Sequence, residues 1–164
     1  MKIPVVTVIG KSGSGKTTLM EKIIPELKSR GCRIGTLKHH SHAGFEIDKP
    51  GKDSWRHRQA GSEQVIIAAP DQIASYRSLE RELDFPEILK EFLDVDLILV
   101  EGYKSAQMPS IEVIREENGL ELISTPEQRI GIAADVPLEA DVPVLDLEDA
   151  SGLVDLILER ILED

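Results

Sequence analysis

The chain has a single cysteine, Cys32, so no disulfide can form within it, and a reducing, cytoplasmic setting is expected. No apolar run approaches the ~20 residues that cross a bilayer, and the first residues carry no signal-peptide pattern. Basic residues are in short supply: 19 Lys and Arg stand against 30 Asp and Glu, a net charge of −11. That balance excludes a general nucleic-acid binder, which needs to displace counterions from phosphates. Repeats and low-complexity segments are missing too. What remains is a water-borne chain of 164 residues, read as one domain over 1–164 that is large enough to bury a proper core.

What is present begins close to the start. Ile3-Pro4-Val5-Val6-Thr7-Val8-Ile9 is an apolar, β-branched run, the pattern of a buried strand. Gly10-Lys11-Ser12-Gly13-Ser14-Gly15-Lys16-Thr17 follows and fits the phosphate-loop pattern G-x-x-x-x-G-K-[ST] at every fixed position. Thr17 to Arg30 then reads as a helix. The glycines allow the backbone to close around an anion at a helix N-terminus, where loop N–H groups and the helix dipole both favour negative charge. Lys16 is expected to reach the β- and γ-phosphates, and the Thr17 hydroxyl to complete a Mg²⁺ shell.

Further along, helices and strands alternate, the arrangement of an α/β fold. Leu19, Met20, Ile23, Ile24 and Leu27 share one helical face, with Pro25 a discordant residue expected to kink it. Cys32 to Lys38 reads as a second strand, parallel to the first, and Cys32 as a core residue. Asp53 is expected to cap a short helix through Ala60. Gln64–Ala69 with Gln72–Tyr76, and Ile111–Arg115 with Leu120–Ser124, read as two hairpins. Leu83–Leu93 has helical spacing, Asp96–Gly102 is an apolar strand, Ile130–Ala134 and Val142–Leu145 are short strands, and Leu153–Leu162 is a final amphipathic helix.

Two acids flank the strand Leu97–Val100. At ~3.3 Å per residue Asp96 and Glu101 lie ~16 Å apart, so only one can serve the phosphate loop. The loop sits at the C-terminal end of its strand, which selects Glu101 to hold the Mg²⁺ water shell or orient an attacking water. Asp96 reads as a turn residue. Lys38 to Arg58 carries five basic residues (Lys38, Lys49, Lys52, Arg56 and Arg58) against three acids. That local excess suits a phosphate-bearing ligand, although a solvated loop explains it equally well. His39, His40 and His42 cluster after the second strand. On an extended chain His40 and His42 face one way, the start of a zinc or nickel site, while a phosphate or partner contact is the other reading. Asp53 and Arg56 open the short helix, where plain capping accounts for them as well as chemistry does.

Taken together, Gly10–Thr18, Thr36-Leu37-Lys38-His39-His40, Asp48-Lys49-Pro50-Gly51-Lys52-Asp53-Ser54, Leu99-Val100-Glu101-Gly102-Tyr103-Lys104 and Ile132–Leu138 resemble the adaptor proteins of molybdopterin-guanine dinucleotide biosynthesis, the MobB family. The resemblance covers nearly the whole chain in the family's order. It implies a P-loop NTPase-type three-layer fold with a largely parallel central sheet and added β-hairpins. It also implies a GTP-binding protein with slow, Mg²⁺-dependent hydrolysis that assists the enzyme attaching GMP to molybdopterin, a guanylyltransferase-type partner, and a homodimer whose sheets join. Residues Gly10 to Thr18 are then the nucleotide cradle, with Lys11 at the place of an extra loop lysine. Asp53-Ser54-Trp55-Arg56 resembles the Asp-x-x-Arg element of signal-recognition-type GTPases, in which the acid handles metal-bound water and the arginine a phosphate. Thr17, Glu101 and Asp53 become the Mg²⁺ residues, and Glu101, Asp53 and Arg56 the catalytic ones. The Asn-Lys-x-Asp motif that reads guanine in most GTPases is absent, and Asp135, at the end of the Ile130–Ala134 strand, is the residue placed to accept from guanine N1–H and N2–H₂. The histidine cluster motivates a second reading, a nickel or zinc metallochaperone GTPase, and the loop alone a third, a small-molecule kinase.

Overall fold

In the computed structural model, which describes residues 3–40 and 44–163, the chain forms two compact units. One comprises the residues up to His39 together with those from Phe92 onward, and the other runs from His40 to Glu91.

The first unit is built on a six-stranded sheet in which all neighbours are parallel. Its strands are β1 (Val5–Gly10), β2 (Ile34–Lys38), β5 (Leu97–Glu101), β6 (Ser110–Ile114), β7 (Arg129–Ala134) and β8 (Val144–Asp146), in the order β2-β5-β1-β6-β7-β8. Every residue of β1 and the first four of β5 are buried, which is why both read as unbroken apolar runs rather than alternating ones. Helix α1 (Lys16–Ser29) buries Leu19, Met20, Ile23 and Leu27 and packs beside α4 (Ala150–Glu163), whose Leu153, Val154 and Ile157 share the same core with Val6, Val8, Leu97, Leu99, Ile111 and Val113. α1 continues through Pro25 to Ser29. Cys32 is half-buried against this core.

β1 is the point at which the strand order reverses. The chain leaves β1 for β2 and β5 on one side and later takes up β6 on the other. In open parallel sheets the crevice outside the C-terminal strand ends at such a point is where ligands bind, and Gly10 ends β1 there.

The second expected hairpin is not formed. β6 pairs in parallel with β1 and β7, while Leu120–Ser124 contributes no strand. The physical reason is Glu112. Its fully buried carboxylate accepts the N–H groups of Ile123 (2.6 Å) and Ser124 (3.1 Å) and the Ser124 hydroxyl, so this segment's donors are satisfied by a side chain instead of a ladder. Arg129, 5% exposed, neutralises the buried charge at 3.6 Å and continues to Asp141 at 2.6 Å and to the Ser124 carbonyl at 2.7 Å.

The second unit contains α2 (Asp53–Gln59), the antiparallel pair β3 (Gln64–Ala68) and β4 (Ile73–Arg77), which is a two-stranded sheet of its own, and a short α3 (Phe85–Ile88) followed by a 3₁₀ turn. The helix expected over Leu83–Leu93 is therefore much shorter. Its Asp84 and Glu87 form a reciprocal capping box and Pro86 lies in its first turn. Lys52, not Asp53, occupies the N-cap position of α2, and its side chain makes no capping bond. Asp48 accepts instead from the Ser54 hydroxyl (3.1 Å) and the Lys49 N–H (2.8 Å), which ties the preceding loop to the helix start.

Candidate functional site

The phosphate loop connects the end of β1 to the start of α1, and its glycines are required by the space available. A Cβ on Gly10 would stand 2.6 Å from both the Val113 carbonyl and Ser14 Oγ. Gly15, immediately before the helix, holds φ +90° and lies under the Arg115 guanidinium, 3.2 Å from where its Cβ would be. Ser14 is buried, and its Oγ hydrogen-bonds to no protein group. Ser12, Gly13, Thr17 and Thr18 are exposed around the loop. Lys16 folds back over it, donating to the carbonyls of Lys11 (2.7 Å) and Gly10 (3.1 Å). Burial pushes the Lys16 pKa below the usual lysine value; Glu101 opposes that shift, and nearby Lys104 and Lys38 reinforce it.

On the β5 side, Thr17 Oγ1 donates to Glu101 Oε1 at 2.8 Å, and Lys38 Nζ donates to the same oxygen at 3.1 Å. Register explains the meeting: Lys38 and Glu101 are partners on the parallel strands β2 and β5, both at C-terminal ends. Thr17, Met20, Ile24, Leu37, Lys38 and Glu101 line a groove of about 220 Å³ there. Asp96, at the other end of the strand, binds the Arg33 guanidinium at 2.7 and 3.0 Å and its N–H at 2.8 Å. Those bonds hold its pKa at about 2, below the usual carboxylate range.

On the β6 side, Arg115 Nε donates to the Ser14 carbonyl at 3.2 Å, and its guanidinium lies 3.7 Å from Asp135. Asp135 also accepts the Glu116 N–H at 2.9 Å. Lys11 donates to the Asn118 carbonyl and to Glu121, each at 2.9 Å, and this lysine pulls the Glu121 pKa down.

The structure therefore brings Gly10 to Thr17, Glu101 and Asp135 to one edge of one sheet. Asp53 and Arg56 stand exposed in the first turn of α2, in the other unit. Of the histidine cluster, the His39 ring lies 4.3 Å from that of Tyr103, tilted by 50°, and the His40 ring lies 5.8 Å from that of Phe45, while His42 falls outside the described residues. Among the described residues no group of three or more His, Cys, Asp or Glu is arranged to hold a metal ion by itself. Sequence reasoning missed Arg115 altogether, and it saw Lys38 at the end of the second strand, in the basic stretch and in a family motif, but gave it no role of its own. Strand-end position was the available signal for both.

Comparison with known proteins agrees with this geometry. The family profile for molybdopterin guanine dinucleotide synthesis protein B, MobB, matches residues 5–135. The chain is 41% identical over 164 residues to the molybdopterin-guanine dinucleotide biosynthesis adapter protein of Escherichia coli, covering 96% of this chain and 93% of that one. It is 39% identical over 158 residues to the adapter protein of Haemophilus influenzae, covering 95% and 88%. The crystal structure of Bacillus subtilis MobB superposes with a TM-score of 0.74 at 28% identity, covering 95% of this chain and 96% of that one. A MobB homologue from Bacillus stearothermophilus gives 0.71 at 26%, covering 98% and 99%. With the phosphate loop, the parallel sheet and these relatives in agreement, the chain belongs to the MobB family of P-loop proteins.

Proposed function

We propose that this protein is a GTP-binding adaptor of molybdopterin-guanine dinucleotide biosynthesis that assists a guanylyltransferase-type enzyme and hydrolyses GTP slowly. The observation that carries the nucleotide part is the convergence of Lys16, Thr17 and Glu101 on the mouth of a glycine loop too tight for any side chain at Gly10. The residues fit the ligand. An anion entering the loop replaces the backbone carbonyls as the partner of the Lys16 ammonium, and loop N–H groups at the start of α1 supply further donors. The Thr17 hydroxyl and Glu101 carboxylate, 2.8 Å apart, are hard oxygen donors of the kind Mg²⁺ takes, and they are the residues that would hold it beside the phosphates. When bound, that ion neutralises phosphate charge. Glu101, 13% exposed at the end of β5, orients water on the terminal-phosphate side. Asp53 and Arg56 are proposed, on the Asp-x-x-Arg resemblance, to contribute from α2.

Guanine preference rests on the family relationship and on Asp135. A carboxylate carries about four acceptor positions, so its bonds to Glu116 and Arg115 leave capacity for guanine N1–H and N2–H₂. The homodimer is supported by the β3–β4 pair. A two-stranded sheet is marginal alone, and Ile66, Ile67 and Ile73 on it are exposed, so pairing with a second copy covers both liabilities.

Equilibrium competition for the purified protein in Mg²⁺ tests the reading. GTP is expected to displace a fluorescent guanine nucleotide at least about tenfold more effectively than ATP, a difference of 1.4 kcal/mol. Equal displacement would remove guanine specificity, and no binding of either would remove the nucleotide site.

A further inference from the structure

Lys16 feels three charged groups of the first unit: the carboxylate of Glu101, which also accepts from Lys38 at 3.1 Å, and the ammonium groups of Lys38 and Lys104. Lys16 belongs to the phosphate loop and needs no further explanation. Lys38 does. It ends an edge strand with its side chain 62% exposed, where a lysine ordinarily extends into water, yet it folds back onto the oxygen that Thr17 already occupies. Because both groups bond one oxygen, Lys38 Nζ lies within about 6 Å of Thr17 Oγ1, the residue that follows the loop lysine. The Lys38 end of this pair is exposed to solvent, which limits what the pair contributes to folding.

The position of Lys38 points to a ligand. Lys16, Lys38 and Lys104 stand against the carboxylates of Glu101 and Glu21, the latter lining the same groove as Lys38 and Glu101. Lys38 stands on the side of the loop where Thr17 and Glu101 meet, the place that the Mg²⁺ and terminal phosphate of a triphosphate would take. The Lys38 stem is flexible, its ammonium is a compact donor of three hydrogen bonds, and its present partner is the carboxylate that a bound metal's water shell would engage.

We propose that Lys38 is a terminal-phosphate ligand supplied from β2: with the loop free of nucleotide it pairs with Glu101, and in the triphosphate complex its ammonium moves to the terminal phosphate. Lys38 thereby makes the site read triphosphate against diphosphate. The assignment rests on the reading that the loop binds a nucleoside triphosphate, and it adds the residue that counts the phosphates.

The test measures affinities of the full-length protein for a non-hydrolysable GTP analogue and for GDP in Mg²⁺, for the wild type, Lys38→Met, Lys38→Gln and Lys38→Arg. Loss of one charge-assisted contact is expected to weaken triphosphate binding about tenfold in Lys38→Met and Lys38→Gln, with diphosphate binding changed less than about twofold. Lys38→Arg, which keeps the charge, should recover most of the difference. Were Lys38 only orienting Glu101, both nucleotides would weaken together; that outcome, or unchanged triphosphate affinity in a wild type that binds it, overturns the assignment alone. A wild type that binds neither nucleotide overturns the nucleotide reading and this role with it.

Discussion

β5 and β6 lie against opposite sides of β1 and treat the phosphate loop in opposite ways. The β6 side is closed on itself. Lys11 is taken by Asn118 and Glu121, Arg115 by Ser14 and Asp135, and behind them Glu112 and Arg129 lock the following segment in place. The β5 side is open, with Thr17 and Lys38 sharing one oxygen of Glu101 and Lys38 exposed to solvent. Charge satisfied within the protein holds a shape, whereas charge left exposed is available to a ligand. On that basis the β6 side sets the conformation of the loop and the β5 side reads what the loop holds.

Two substitutions separate these roles. The larger effect is expected from Glu112→Ala, which removes one of the two carboxylates paired with buried Arg129 and leaves the N–H groups of Ile123 and Ser124 without their acceptor. Breaking a buried charged pair costs about 3–5 kcal/mol, so denaturant unfolding should show a loss of that size. A variant as stable as the wild type would mean that the β6 side does not hold the loop. Lys16→Ala should do the reverse: triphosphate affinity should fall by at least about a hundredfold while the unfolding midpoint stays in place. Lys16 bonds only to two carbonyls of its own loop, at Gly10 and Lys11, so little of the fold depends on it. If Lys16→Ala instead lowers the unfolding midpoint and leaves triphosphate affinity unchanged, the two sides have been assigned the wrong way round.

The same contrast explains what could be read from the sequence. The β5 side was largely legible, because a phosphate loop at the end of one apolar strand and Glu101 at the end of another are local patterns with fixed spacing. The parallel sheet followed from the same alternation. The β6 side was not legible. Ile111–Arg115 and Leu120–Ser124 flank Asn118-Gly119 and carry every local sign of a hairpin. What overrides those signs is one carboxylate, Glu112, buried in the middle of a strand where its position would otherwise suggest a solvent-facing acid. Side chains that replace a backbone ladder leave no periodicity to detect. Arg115 was missed for a related reason: its partners Ser14 and Asp135 are 101 and 20 residues away, and only the sheet order brings them together. Lys38 could be placed at the end of the second strand, but its partner could not be named until β2 paired with β5 in register.

The smallest expected effect comes from the N-terminal end of β5, where Asp96 closes on Arg33 far from the loop. Its folded-state pKa of about 2 lies below the usual value of 3.8. A carboxylate held down in this way stabilises the fold above its unfolded pKa and loses that contribution as the pH falls from about 4 towards 2. Asp96→Asn should therefore lower the thermal midpoint at neutral pH by less than Glu112→Ala does, because the pair is exposed to solvent. The difference from wild type should shrink over that acid interval, and nucleotide affinity should not change. Thermal scans at pH 7 and pH 3 with parallel titrations read all three. A change in nucleotide affinity would show that the two ends of β5 are coupled and that the division of roles runs along the strand as well as across the sheet.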